Sequence, residues 1–306
     1  MVVLGVMLEL FFILMVGYFL AQKDILNQDT GKQLSFLVVN ITMPALIIAS
    51  VSENLDQGTL ESVLEIFLLG ILCYAALPLL AWILMKAIGA SKGQRGVYQF
   101  MFIFSNCTFM GYPVLEAIFG SEAIFLSAIF NLPFNLLAFS YGIMLVCKDS
   151  DGNGEAGFQI SKLINPGIVA SLLSLLIYAF HIKLPSFLLD ICSMLGNMTT
   201  PLSMIVLGVS LAVIPIKDVF MDARIYVMSA VRLIVIPFIA YGVLQLFVTD
   251  TLALGVAVMS LAMPVASMTV MLSNQYGGNV RLASIGVFVS TLLSVGTIPL
   301  ISVLLF

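Results

Sequence analysis

Charge is what this chain has least of. Of its 306 residues, 9 % are Asp, Glu, Lys or Arg, against about 25 % in an ordinary soluble domain. Hydrophobic residues make up 61 %, and the mean hydropathy is +1.15. A water-soluble fold of this size has no interior large enough to hide that surface, so a cytosolic globular enzyme and a disordered chain are both excluded. Lys and Arg together number 12 and form no cluster, which leaves no electrostatic footprint for a nucleic acid. Histidine occurs once, as His181 at a loop edge, and no HExxH or pair of deep aspartates is present. Neither triad nor metalloprotease chemistry is expected, and the chain does not read as an enzyme. The four cysteines, Cys73, Cys107, Cys147 and Cys192, form no CxxC pair. They predict neither a zinc site nor a disulfide framework and read as small packing residues. No metal or cofactor is expected.

What the chain does have is long apolar runs. Crossing a bilayer takes about 20 mostly apolar residues. Ten segments qualify: 2–22, 34–51, 63–88, 97–118, 123–147, 164–180, 187–213, 223–247, 251–273 and 282–305. Short polar stretches such as KDILNQDTGKQ and GASKGQRG separate them. Segment 2–22 has neither a basic start nor a small-residue cleavage site, so it is expected to remain as a helix. The loops after spans 1, 3, 5, 7 and 9 carry ten of the basic residues, from Lys23 and Lys32 to Arg281, whereas Lys183 alone lies in the other loops. Basic loops stay in the cytoplasm. This predicts a multi-pass protein of the plasma membrane, surrounded by lipid bilayer, with both termini extracytoplasmic.

The two halves resemble each other. Span 2 contains Asn40-Ile-Thr42-Met-Pro44 and span 7 contains Asn197-Met-Thr199-Thr-Pro201, 157 residues apart. Pro78 and Pro237 are offset by 159, and Pro113 and Pro264 by 151. Residues 1–147 and 164–306 therefore read as two five-span repeats joined by a polar linker, 148–163. Five is odd, so the second repeat enters the membrane inverted, as in many secondary transporters. The fold class expected is all-α, with ten transmembrane helices in two inverted repeats. Within the linker, Gly152-x-Gly154-x-x-Gly157 mimics a dinucleotide fingerprint but follows no strand. Asp149, Asp151, Asn153 and Gly154 mimic the start of a calcium loop, yet Ile160 stands where a bidentate Glu is required. A solvated loop is the better reading of both.

Proline inside a membrane helix frees backbone groups, which is tolerated where they find partners or line a cavity. Span 4 reads Ser105-Asn106-Cys-Thr108-Phe-Met-Gly111-Tyr112-Pro113, and span 9 reads Ser260-Leu-Ala-Met263-Pro264-Val-Ala-Ser267-Met-Thr269. Both read as broken helices that would cross near the bilayer centre. Their half-helix N-termini would then offer free N–H groups to a carboxylate. Arg232, about nine residues into span 8 and so about 13 Å deep, is suited to balancing an anion, to snorkelling towards the cytoplasm, or to tying down the carbonyls of a broken helix. Glu9 lies in the outer part of span 1. Asn131 and Asn135 flank Pro133 and either face the same cavity or bond between helices.

In the order and spacing of its motifs the whole chain resembles the auxin efflux carrier family of PIN-like transporters. The residues that carry the likeness are SNCTFMGYPVLEAIFG in span 4, NITMPAL in span 2, NPGIVAS opening span 6, TTPLSMIVLGVSLA in span 7, RLIVIPF in span 8 and the closing ASIGVFVSTLLSVGTIPL. The resemblance implies crossing at Pro113 and Pro264, a scaffold of spans 1, 2, 6 and 7 forming a homodimer through spans 2 and 7, and a transport domain of spans 3–5 and 8–10 moving as an elevator. It places Asn106 beside a bound carboxylate. No Asn neighbours Pro264, and the long cytoplasmic loop of plant members is missing, so auxin itself fits poorly.

The function expected is a carrier of a small organic anion such as malate or malonate. Its site would comprise Ser105, Asn106, Thr108, Gly111, Tyr112, Pro113, Ser260, Met263, Pro264, Ser267 and Thr269, with Asn40, Asn135, Asn197 and Arg232 in secondary roles. A sodium-coupled symporter of the bile-acid type and an exporter of an auxin-like aromatic carboxylate remain alternatives.

Overall fold

The computed structural model describes residues 2–53, 55, 60–91, 93–120, 122–148 and 166–306, and among them it is helical without a β-strand. The linker motifs at Asp149–Gly157 lie outside the described residues. In chain order the helices are α1 (Val2–Gln22), α2 (Gln28–Ser52), α3 (Leu60–Ile88), α4 (Arg95–Ile103), α5 (Gly111–Phe119) and α6 (Glu122–Cys147). They continue with α7 (Pro166–Ala179), α8 (Ser186–Ala212), α9 (Ala223–Leu244), α10 (Thr251–Ala262), α11 (Met268–Tyr276) and α12 (Val280–Leu305). Six of these, α2, α3, α6, α8, α9 and α12, hold stretches long and apolar enough to cross a membrane. The fourth and ninth apolar runs are each divided into two short helices, α4 with α5 and α10 with α11.

Local chemistry accounts for where the helices begin, end and deform. Asn27, Asp222, Asp250 and Asn279 sit at helix N-caps and accept from the backbone N–H of Thr30, Arg224, Leu252 and Leu282, which satisfies donors that a first turn leaves unpaired. Gly277 closes α11 at φ 76°, in the left-handed region. Two π-helical turns, Val38–Thr42 and Val231–Val235, lie immediately before helical segments that carry Pro44 and Pro237 in their first turn. A proline has no N–H for the carbonyl one turn earlier, and the wider turn shifts the bonding to skip it. In α8 the matching N-x-T-x-P motif interrupts the helix at Met198, so the motif deforms its helix in both halves.

Helices in lipid associate through close packing more than through water exclusion, and this favours small residues. At Gly208 of α8 a Cβ would stand 2.1 Å from the Leu14 carbonyl oxygen, and at Gly17 of α1 one would stand 2.4 Å from that of Ile205. The two backbones therefore touch directly. Gly196 brings α8 against the backbone of Leu46 in α2 in the same way, and Gly70 brings α3 against Phe130 in α6. Around the broken fourth run the core is aromatic: Phe104 packs on Phe100 at 4.4 Å and on Phe134 at 5.4 Å, while Tyr74 packs on Phe130 and Phe134. The outer surface carries Phe12, Phe19, Leu68, Leu79, Phe247 and Val303, all exposed, an apolar face suited to hydrocarbon.

Candidate functional site

The unwound segments of the two broken runs meet. Ser105 and Val265 form an antiparallel bridge 160 residues apart in sequence. The Asn106 N–H donates to the Pro264 carbonyl at 2.7 Å, and the Ala266 N–H donates to the Phe104 carbonyl at 3.1 Å. Advancing the first bond by 160 positions and exchanging the segments reproduces the second, so the crossing has local two-fold character. The Val265 N–H is taken by Ser290 Oγ of α12 at 3.2 Å, and that hydroxyl in turn donates to the Val287 carbonyl. Backbone unwound in an apolar interior is thus paired strand to strand, as burial demands.

The crossing differs from the sequence expectation in two respects. It does not pair Pro113 with Pro264. Pro264 lies in the unwound stretch, but Pro113 is the third residue of α5, and the first break lies upstream over Phe104–Met110. The reason is that a proline in the first turn of a helix costs no hydrogen bond, so Pro113 starts α5 without breaking anything. The second difference concerns the donors of α5. The N–H groups of Gly111 and Tyr112 are engaged by the carbonyls of Asn106 (3.0 Å) and Thr108 (3.2 Å), because the turn between the half-helices folds back over the helix start.

Side chains supply what the backbone does not. Ser105, Asn106, Ser260, Met263, Pro264, Ser267 and Thr269 are all buried at the crossing or within a turn of it. Ser105 Oγ, Asn106 Nδ2, Ser260 Oγ and Ser267 Oγ are buried with no hydrogen-bond partner, whereas Thr269 Oγ1 donates to the Ala266 carbonyl at 2.6 Å. Unpaired buried polar atoms are uncommon and each calls for an explanation. Thr108 and Tyr112 are half-buried and, with Ser50 of α2 and Asn135 of α6, line a cavity of about 10 Å³. That is room for about one water.

The secondary residues divide. Arg232 is fully buried and donates Nη1 to the Phe102 carbonyl at the end of α4, 3.0 Å away, while its Nε and Nη2 have no partner. Asn131 donates to Ser127 Oγ. Asn40 turns back to the Phe36 carbonyl of its own helix, and Asn197 is exposed, so neither is left with a buried, unpaired donor. Sequence reasoning counted Lys32 and Arg281 only as orientation charges. Both line a second cavity, of about 340 Å³, between the start of α2, the end of α8 and the α11–α12 junction, together with Gln28, Ser210 and Asn274. Among the described residues no acidic side chain lines it. Only their placement on separate helices brings these residues together, and no sequence spacing could have signalled it.

A family profile described as membrane transport protein matches residues 2–154 and 155–302. An "uncharacterized transporter" of Methanocaldococcus jannaschii is 28 % identical over 306 residues, covering 98 % of each chain. Another, of Methanothermobacter thermautotrophicus, is 27 % identical over 304 residues, covering 97 % of each. With profile matches running almost end to end, this chain belongs to the membrane transport protein family, the auxin efflux carrier-like transporters.

Proposed function

We propose that the protein is a secondary carrier of a small organic anion, a mono- or dicarboxylate such as malate or malonate, in the plasma membrane. Ten spans form two inverted repeats with both termini extracytoplasmic and 148–163 as the cytoplasmic linker. Spans 1, 2, 6 and 7 are the scaffold and the homodimer surface, and spans 3–5 and 8–10 are the body that moves as an elevator. The anion is held at the crossing by Asn106, Ser105, Thr108, Ser260 and Ser267, with Thr269 and the chain at Gly111–Pro113 and Met263–Ser267 around it.

One observation carries this reading: two unwound segments are bonded to each other amid four buried side chains whose hydroxyl or amide donors have no acceptor. A carboxylate brings acceptors and no donors. The inverted repeat is supported by the two crossing bonds that exchange under one 160-residue shift. The two-body division is supported by the glycines. Contacts onto backbone occur within the scaffold, at Gly17, Gly196 and Gly208, and within the moving body, at Gly70. Gly167 of α7 instead faces the ring of Phe139 in α6, a side-chain contact between the two bodies.

The test is uptake of radiolabelled malate and malonate, with lactate as the monocarboxylate, into proteoliposomes, alongside thermal shifts of the purified protein with the same acids. Saturable uptake whose KM rises about tenfold in Asn106→Ala is the expected result. Absence of flux for all three acids, or an Asn106→Ala protein indistinguishable from the natural one, overturns the proposal.

A further inference from the structure

Arg232 is the one charged side chain among the described buried residues. A guanidinium without a carboxylate in a low-dielectric interior is costly, and neutralising or pairing it is the usual remedy. Here the compensation is partial. Nη1 bonds the Phe102 carbonyl, where the negative end of the α4 dipole supplies about half a charge. Nε and Nη2 remain unpaired, and the other groups in electrostatic contact with the guanidinium are Tyr74 and Cys107, donors rather than counter-ions. Phe102, Cys107 and Tyr74 belong to the fourth and third spans, which the carrier reading assigns, with the eighth span that holds Arg232, to the moving body.

We infer that Arg232 is a fixed charge carried across the membrane field by the moving body, and that a singly charged carboxylate at the crossing neutralises it. The inference rests on the elevator reading above and adds to it the charge of the preferred substrate and the voltage-sensitive step. Other charges of the moving body, such as Arg95, Glu116, Glu122, Arg224 and Arg281, lie at or within a turn of helix ends. They stay at the potential of the aqueous phase on their own side. Among the described residues Arg232 is the one charge held inside the body rather than at its surface. The loaded body is then electrically neutral with a monoanion, and the empty body returns carrying one positive charge. If that charge crosses half the field, 100 mV changes the ratio of the two empty orientations by about 7-fold.

The experiment is transient charge movement after voltage steps, measured on reconstituted full-length protein without substrate and then with lactate or malonate, in parallel with labelled flux of both acids. The empty protein should show a charge movement that lactate suppresses and that Arg232→Lys retains. Arg232→Gln should lack it while eluting as a folded protein, and a folded Arg232→Gln protein that keeps it overturns the inference. If Arg232→Gln does not fold, the natural protein and Arg232→Lys decide the matter on their own. Measurable flux of either acid with no charge movement in the empty natural protein overturns this inference and leaves the carrier reading intact. Charge movement in the empty protein that lactate leaves unchanged overturns the neutralisation. Absence of all flux defeats the carrier reading instead.

Discussion

Ser105 and Val265 pair as the centre of a short antiparallel ladder, 160 residues apart and on opposite halves of the chain. The bonds on either side, Asn106 to Pro264 and Ala266 to Phe104, use one donor and one acceptor from each segment. Neither segment can shift along the other without breaking both bonds. The crossing is therefore a rigid joint between the two unwound segments, and in the proposed elevator it moves as one piece with whatever it binds.

This joint can be tested at a residue whose side chain has no polar atom. Ala266→Pro removes the N–H that donates to Phe104 and leaves a buried carbonyl unpaired, a change worth about 1–3 kcal/mol. The substituted protein should melt earlier and lose transport together. Ala266→Gly keeps the N–H and should retain most of both. A normal melting temperature for Ala266→Pro in detergent would show that the pairing adds nothing.

The unpaired donors give an opposite signature. Asn106 Nδ2 and Ser260 Oγ have no hydrogen-bond partner, so their removal forfeits no hydrogen bond and relieves a desolvated polar group. Asn106→Ala and Ser260→Ala should therefore melt within about 1 kcal/mol of the natural protein, or above it, while KM for the carried acid rises about tenfold per lost contact, as expected for 1.4 kcal/mol. Stability falling in step with transport would mark these residues as structural.

Much of this arrangement was legible beforehand, and the limits are instructive. Helix positions follow from apolar runs and polar caps such as Asn279, both visible in sequence, and so do the two interrupted runs. The offset between prolines was misleading at one place. Pro113 and Pro264 look equivalent at an offset of 151, yet the bridge at Ser105 and Val265 sets it at 160, close to the 157 and 159 of the other proline pairs. A proline is informative only when its missing N–H falls within a helix, and Pro113 falls in a first turn where the loss is free. The ladder itself is backbone to backbone, so no residue type announces it. The cavity at Lys32 and Arg281 depends on four separate chain segments, beyond the reach of any local pattern.

The close approach of α1 and α8 predicts a sharp packing cost. Gly208→Leu would drive a Cβ into the Leu14 carbonyl and the Tyr18 nitrogen at 2.1 and 2.6 Å. Backbone cannot yield as a side-chain tip can, so overpacking should cost at least the usual 1–3 kcal/mol, roughly. Thermal unfolding in detergent and yield of dispersed protein measure it. Gly242→Ala, where nothing lies within 4 Å of the added carbon, is the matched control and should be neutral or slightly stabilising because alanine favours helix. Equal melting temperatures for the two variants would contradict the direct backbone contact.

Lys32 of α2 and Arg281 of α12 line one cavity. Asp29, the acidic partner of Lys32 at 3.5 Å, is itself exposed, so that pair is screened and holds the ammonium only weakly. Lys32 and Arg281 both bring positive charge to its lining, and clefts lined by one sign of charge raise the local concentration of the opposite ion. The doubly substituted Lys32→Gln, Arg281→Gln protein should show KM for a dicarboxylate raised by about 3–10-fold at low salt, with kcat within about twofold, since recruitment is altered and the crossing is not. The natural protein should lose the same advantage as ionic strength rises from about 0.05 to 0.5 M, because the screening length shortens to a few ångströms. Uptake kinetics at two salt concentrations measure both effects in one series. A KM that responds to neither substitution nor salt would mean that the charges serve only to orient the chain in the membrane.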